Sequence, residues 1–159
     1  MGDYKLVPPT SGRAMSAIET LLRTRVSLGS RDLDGGDLLA VVPLVASLAA
    51  GLLAYPALPA EMAVHFSGGG PDQFVSKSVG VWLVPAIGLA AVAVTRRQAH
   101  YSGLFRAVVL GFVGWVVALA HGYVLLWNLG YQFSSLIVVV PAIGGCLVVV
   151  ALQKTGFGS

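Results

Sequence analysis

Glu61, His65, Asp72 and Lys77 fall within 17 consecutive residues, between two long apolar runs. A histidine with two carboxylates is a donor set that zinc accepts. A histidine beside a carboxylate and a serine is the starting material of nucleophilic catalysis. Neither pattern is completed here. No second histidine follows at helical ligand spacing, and the candidate ligands are scattered among turn residues. Ser67 and Ser76 lack any activating signature. The expectation is therefore no metal, no cofactor, no catalytic residue and no enzyme. Asp72 is expected to cap a turn or pair with Lys77, while Phe66 and Phe74 pin the segment onto neighbouring helix ends. His65, Phe66, Asp72 and Lys77 then remain as a recognition surface for a peptide, a toxin or a partner protein.

His121 is the second residue with chemical potential, because it interrupts an apolar run that holds no other ionisable side chain. A buried titratable group inside a membrane span suggests a proton relay or a ligand contact. A lone histidine without an intramembrane carboxylate makes a poor relay. The expectation is a neutral ring, hydrogen-bonded to a neighbouring carbonyl or serine.

The elements that must position these residues follow from composition. Of 159 residues, 56% are hydrophobic and 11% charged, whereas soluble domains carry about 25% charged residues. A small soluble domain has too little interior to hide that apolar fraction, so the lipid bilayer is the expected environment. Four stretches are long enough to span it, at about 38–55, 79–94, 107–127 and 133–152, and none contains Asp, Glu, Lys or Arg. In hydrocarbon an open chain satisfies its own backbone polar groups only as a helix. The expected fold is an all-α integral membrane protein of four transmembrane helices, with a 23-residue outer loop at 56–78. Residues 38–153 form the membrane domain, 1–37 a segment before it and 154–159 a tail. No cleavable signal peptide is expected, since 37 mixed residues precede the first apolar run.

Orientation comes from the basic residues. Nine of the ten Lys and Arg fall on one side of such a bundle, and Lys77 is the exception. The positive-inside rule then places both termini in the cytoplasm, in the cell membrane. The net charge of +3 is explained this way, with no nucleic-acid partner implied. Tyr55, Trp82, Trp127, Tyr131 and Phe133 are expected at the outer interface, and Tyr101 and Phe105 at the inner one.

Within 1–37, Ser16 and Glu19 have capping-box spacing, and Met15, Ile18, Leu21, Leu22 and Val26 recur at helical spacing. A short amphipathic helix ending near Gly29 is expected, followed by a flexible linker over 31–37 in which Asp37 caps the first span. Pro43, Pro85 and Pro141 lie inside spans, where proline tends to kink a helix. Gly114, Ala118 and Gly122 recur every four residues, with Ala107 and Gly111 on a neighbouring row. Such rows let helix backbones approach closely, within the chain or in a homo-oligomer. Gly144 and Gly145 are a candidate facing patch. Cys146 is expected as a buried, inert small hydrophobe.

In the loop, Leu58-Pro59 suggests a bend or a short helix, and Gly68-Gly69-Gly70-Pro71-Asp72 is turn chemistry. Taken in order, Leu58-Pro59, Val64-His65-Phe66, Gly70-Pro71-Asp72, Phe74 and Ser76-Lys77 resemble the N-terminal membrane domain of prokaryotic SdpI-type immunity proteins. The resemblance covers about residues 40 to 92. Ala63 stands where that family commonly has proline, and Ser67 where it commonly has asparagine. It implies a membrane domain and suggests that the outer loop recognises a ligand or partner. A second reading is a small oligomeric transporter or channel component that uses kinked helices and His121.

Overall fold

The computed structural model describes residue 20 and residues 26–28, 31–67, 70–98 and 103–155. Two short strands, β1 (Val26–Leu28) and β2 (Arg31–Leu33), pair antiparallel. Helix α1 (Gly35–Ala54) follows, then a 3-10 turn at Tyr55–Ala57 and a β-hairpin of β3 (Glu61–Ser67) and β4 (Gly70–Ser76). Helices α2 (Lys77–Gln98), α3 (Gly103–Asn128) and α4 (Leu136–Lys154) complete the chain. All four helices are long and apolar enough to cross a membrane. A 20-residue helix is about 30 Å long, the thickness of bilayer hydrocarbon. The chain is thus a mostly helical, multi-pass membrane protein.

Three features differ from the all-α expectation. The segment at 56–78 is not a loop: a tight turn and a hairpin occupy it, and α2 already begins at Lys77. Of the expected bend or short helix at Leu58-Pro59 the chain takes the bend, with Leu58 extended at φ −74° and ψ 145°, as the residue before a proline favours. The linker over 31–37 is not loose either, since β2 and the first turn of α1 occupy it. Most of the helix expected between Met15 and Val26 lies outside the described residues. Thr20 is helical, but Val26 belongs to β1.

The start of α1 shows why the chain enters the helix where it does. Asp34, not Asp37, is the N-cap. The Asp37 backbone N–H donates to Asp34 Oδ1 at 3.0 Å, and the Asp34 N–H donates to Asp37 Oδ2 at 3.2 Å. This reciprocal pair satisfies two donors that a helix start leaves open. Asp37 is buried, and two cations neutralise it: Arg96 at 3.3 Å, from the last turn of α2, and Arg106 at 3.2 Å, from the first turn of α3. Arg106 also pairs with Asp34. Four charges thereby tie three helix ends together. The Asp34 carboxyl feels burial, which pushes its pKa up. The Asp37 N–H and Arg106 outweigh that and hold it below 3.8.

Helices α1, α2 and α3 form the packed core. The closest approach is between α1 and α3. A Cβ added at Gly114 would lie 2.6 Å from Ala40 Cα, and one at Gly36 3.0 Å from Ala107 Cα. The small residues are thus used within the chain, but of Gly114, Ala118 and Gly122 it is Gly114 that stands at the close approach. Ala107, Gly111 and Gly114 meet α1, whereas Gly122 has nothing within 4 Å of an added Cβ, and Ala118 lines a lateral crevice. Each of α1, α2 and α4 runs through its proline without a break.

Helix α4 stands apart. It packs chiefly on α3, with Gly145 against the Phe112 ring, and none of its residues is buried. Gly144 faces open space. Cys146 is exposed on this helix, contrary to the expectation of burial. In a bilayer such a surface meets lipid tails, which are as apolar as its side chains.

Candidate functional site

The hairpin is seated on the ends of α1, α2 and α3. Met62 and Leu58 are buried with Val81, Val124 and Leu125 in one apolar cluster, and Phe66 packs at its edge. Gly80 makes room for this seat, since a Cβ there would lie 2.9 Å from Met62 Sδ. The strands pair antiparallel from Glu61↔Ser76 to Ser67↔Gly70, and the ladder skips Val64 on β3 and Asp72 on β4. Such irregularities re-aim side chains. Here they accompany a strand with Met62 and Ala63 buried and His65 exposed.

Asn128, the last residue of α3, holds the hairpin in register with the bundle. Its Oδ1 accepts the Ala63 N–H at 2.8 Å, and its Nδ2 donates to Ala63 O at 2.9 Å and to Val124 O at 2.8 Å. The side-chain amide thus stands where a third strand would. Sequence reading missed this residue, because it recognised no strand in the loop to receive a partner. An asparagine closing a span just before Leu129-Gly130 is the only local signal, and it reads equally well as an ordinary turn residue.

The polar residues of the hairpin are brought together in part. His65 Nδ1 lies 2.6 Å from Asp72 Oδ1, and the Ser67 hydroxyl donates to Asp72 Oδ2. The Ser67 bond, then the His65 bond, keep the Asp72 carboxyl below its ordinary pKa. Both hydrogen bonds converge on the carboxylate, so Ser67 is not in line with the histidine as an activated nucleophile would be. Among the described residues no group of three His, Cys, Asp or Glu side chains is placed to hold a metal ion. Lys77 does not pair with Asp72. Its ammonium lies 3.4 Å from Leu58 O, 3.5 Å from Tyr55 O and 4.8 Å from the centre of the Tyr55 ring, where it braces the turn after α1. Phe74 pins nothing; it is exposed.

Phe66 does anchor the hairpin. Its ring meets Tyr123 edge-to-face at 5.0 Å and Trp127 at 5.2 Å. Tyr123 in turn meets Phe133 at 5.5 Å, and its hydroxyl donates to Phe133 O at 3.3 Å. These four rings wall a cup of about 500 Å³ between the hairpin and the α3–α4 connection. The rest of its lining is small or polar: Ser67, Gly70, Gln132, Ser134 and Ser135. Of the aromatic residues expected near this end, Trp127 and Phe133 enter the cup, Trp82 and Tyr131 are exposed, and Tyr55 receives Lys77. Phe105, expected at the opposite interface, is a buried core residue, and Tyr101 lies outside the described residues.

His121 lies below the seat of the hairpin, inside the three-helix core. It is fully buried against Gly51, where an added Cβ would meet Cε1 at 3.2 Å and Nε2 at 3.5 Å. Among the described residues neither ring nitrogen has a hydrogen-bond partner of good geometry, and the Ser47 backbone is the polar group that acts on the ring. Glycine at 51 is what gives the ring its space.

Residues 42–89 match the profile of a domain of unknown function, DUF1648, which is membrane-associated. The matched stretch runs from α1 through the hairpin into α2 and covers 48 of 159 residues. No curated protein and no solved structure matches the chain.

Proposed function

We propose that this chain is a non-enzymatic membrane protein whose hairpin end recognises a ligand, a peptide toxin or a partner protein from outside the cell. The single observation that carries the reading is the hairpin's rigid seat. Loops in most helical membrane proteins only connect spans. This one is locked by Asn128, filled by Met62 and stapled by Phe66, while His65, Asp72 and the aromatic cup stay accessible. A rigid scaffold that presents a few polar groups is how recognition surfaces are built. The resemblance to SdpI-type immunity proteins supports the same direction.

Orientation belongs to this proposal. Arg96 and Arg106 lie at the end away from the hairpin, so the positive-inside rule puts the hairpin outside and both termini in the cytoplasm of a cell-membrane protein. The lipid bilayer is one partner; a peptide or protein is the other. A homo-oligomer through the exposed α4 is compatible with it. A transporter or channel reading draws on one specific feature, the fully buried His121 in the core.

The test is survival. Cells expressing the chain are challenged with membrane-active peptides, and the His65→Ala/Asp72→Ala/Lys77→Ala triple variant is compared at equal membrane abundance. Tolerance that disappears in the triple variant supports recognition by the hairpin. Tolerance that survives all three changes shows that the hairpin is not the recognition element. Cysteine labelling at Ser67 from outside intact cells checks the orientation, and labelling only after permeabilisation would reverse it.

A further inference from the structure

We propose that the aromatic cup beneath the hairpin binds an organic ammonium group, supplied by a free amphiphile or by a lipid headgroup. The proposal rests on the recognition reading above and names the chemistry of the ligand. Four rings, Phe66, Tyr123, Trp127 and Phe133, line the cavity, and they pack on one another edge-to-face or tilted, with centroids 5.0 to 5.9 Å apart. The face of an aromatic ring carries negative potential and attracts a cation, most of all a weakly hydrated quaternary ammonium. Clustered rings around one cavity are how such groups are caged.

Charge favours the same ligand. Among the described residues no Lys or Arg lines the cup. Lys77, the cation of the hairpin, is committed to Tyr55 and Leu58 carbonyls. A carboxylate does lie beside the rim, because Ser67 lines the cup and donates its hydroxyl to Asp72. With that hydrogen used, the Ser67 oxygen offers only lone pairs to a ligand. The two hydrogen bonds on Asp72 favour its ionised form, so the negative charge persists at neutral pH. An anionic ligand would meet the Asp72 carboxylate at the rim, where the neighbouring ionisable base, His65, is already engaged by Asp72. A neutral apolar ligand would gain nothing from Asp72.

The volume of about 500 Å³ suits a small headgroup, within the roughly 300–1,000 Å³ of small-ligand sites. The cup also sits at the end of α3 beside the α3–α4 connection, at the level where headgroups meet protein if the four helices span the bilayer.

The experiment uses the full chain in maltoside micelles, with Trp82→Phe and Trp115→Phe so that Trp127 is the sole indole. Choline is titrated against its uncharged isostere, 3,3-dimethylbutanol, with Trp127 fluorescence and calorimetry as readouts. The expected result is saturable choline binding at least tenfold tighter than the isostere. Phe133→Leu should weaken choline at least tenfold, and Asp72→Asn several-fold, with unchanged melting temperature in both. Absence of saturable binding, or equal binding of choline and isostere, overturns the proposal. Repeating the titration in phosphatidylcholine and phosphatidylglycerol nanodiscs assigns the source. Free choline excluded only by phosphatidylcholine identifies the lipid headgroup; equal binding in both identifies a free amphiphile. Failure here with hairpin-dependent tolerance intact removes the ammonium ligand alone. Choline binding with tolerance unaffected by the triple variant removes the hairpin recognition reading instead.

Discussion

Asn128→Leu should undock the hairpin while leaving the four helices in place. Leucine nearly conserves volume but offers no polar atom. The wild-type carboxamide makes three hydrogen bonds, two to Ala63 and one to Val124 O. The Val124 carbonyl sits four residues before Asn128 in α3, where the helix already supplies an acceptor's partner, so its loss costs little. The two bonds to Ala63 are different. Ala63 is 2% exposed, and its N–H and C=O would be left without partners unless the strand moves. At about 0.5–1.5 kcal/mol net per hydrogen bond, the docked state loses about 1–3 kcal/mol. That corresponds to a drop of about 5- to 150-fold in protection for opening that releases β3. Hydrogen exchange followed by mass spectrometry on a peptide covering 60–66 reads it directly. A control, Ser76→Ala, removes a hydroxyl bonded only to Ser78 Oγ at 3.0 Å on an exposed surface, and should change protection within about 0.5 kcal/mol. Unchanged protection in Asn128→Leu, with the spans still folded, would refute the assignment of Asn128 as the lock.

Three further outcomes follow from the packing. Gly114→Ala drives a methyl to 2.6 Å from Ala40 Cα, so it should destabilise the bundle by about 1–3 kcal/mol; Gly122→Ala, with open space, should leave the melting temperature in mild detergent unchanged. Asp34 has its pKa lowered in the folded state, so its contribution is present above the ordinary value of 3.8 and is lost as pH falls through the folded value. Melting temperatures from pH 2 to 6 should therefore fall toward acid more steeply in wild type than in Asp34→Asn, and equal slopes would contradict the ion cluster. His121→Leu replaces a fully buried ring that has no well-formed hydrogen bond among the described residues and should raise thermal stability by about 1–3 kcal/mol. A loss of stability would mean that the ring has a bonding partner in the folded protein.

The helices were legible in the sequence. The absence of acidic and basic residues from 38–55, 79–94, 107–127 and 133–152 is a local property that the surrounding lipid reads residue by residue. The observed helices extend a few residues beyond those limits, because caps and end charges decide boundaries. The start of α1 is such a case: Asp37 stood out as a cap candidate, but the cap is Asp34, and Asp37 is buried by two arginines from distant helix ends. The hairpin was harder to read. Its alternation is broken at Val64 and Asp72, and its apolar face is buried in part by Val124 and Leu125, remote in sequence.

The sequence alone determined that the chain is apolar, that it has four candidate spans, and that the distinctive polar residues concentrate between the first two. Hydropathy sums over neighbours along the chain, and a bilayer responds to that sum. Only the tertiary structure decided which groups meet. It joined Asp72 to His65 and Ser67 rather than to Lys77, brought Asn128 onto Ala63 across 65 positions, and gathered Phe66, Tyr123, Trp127 and Phe133 into one cup. Hydrogen bonds and ring contacts act over a few ångströms. Their partners are fixed only when the helices pack and the hairpin folds onto them.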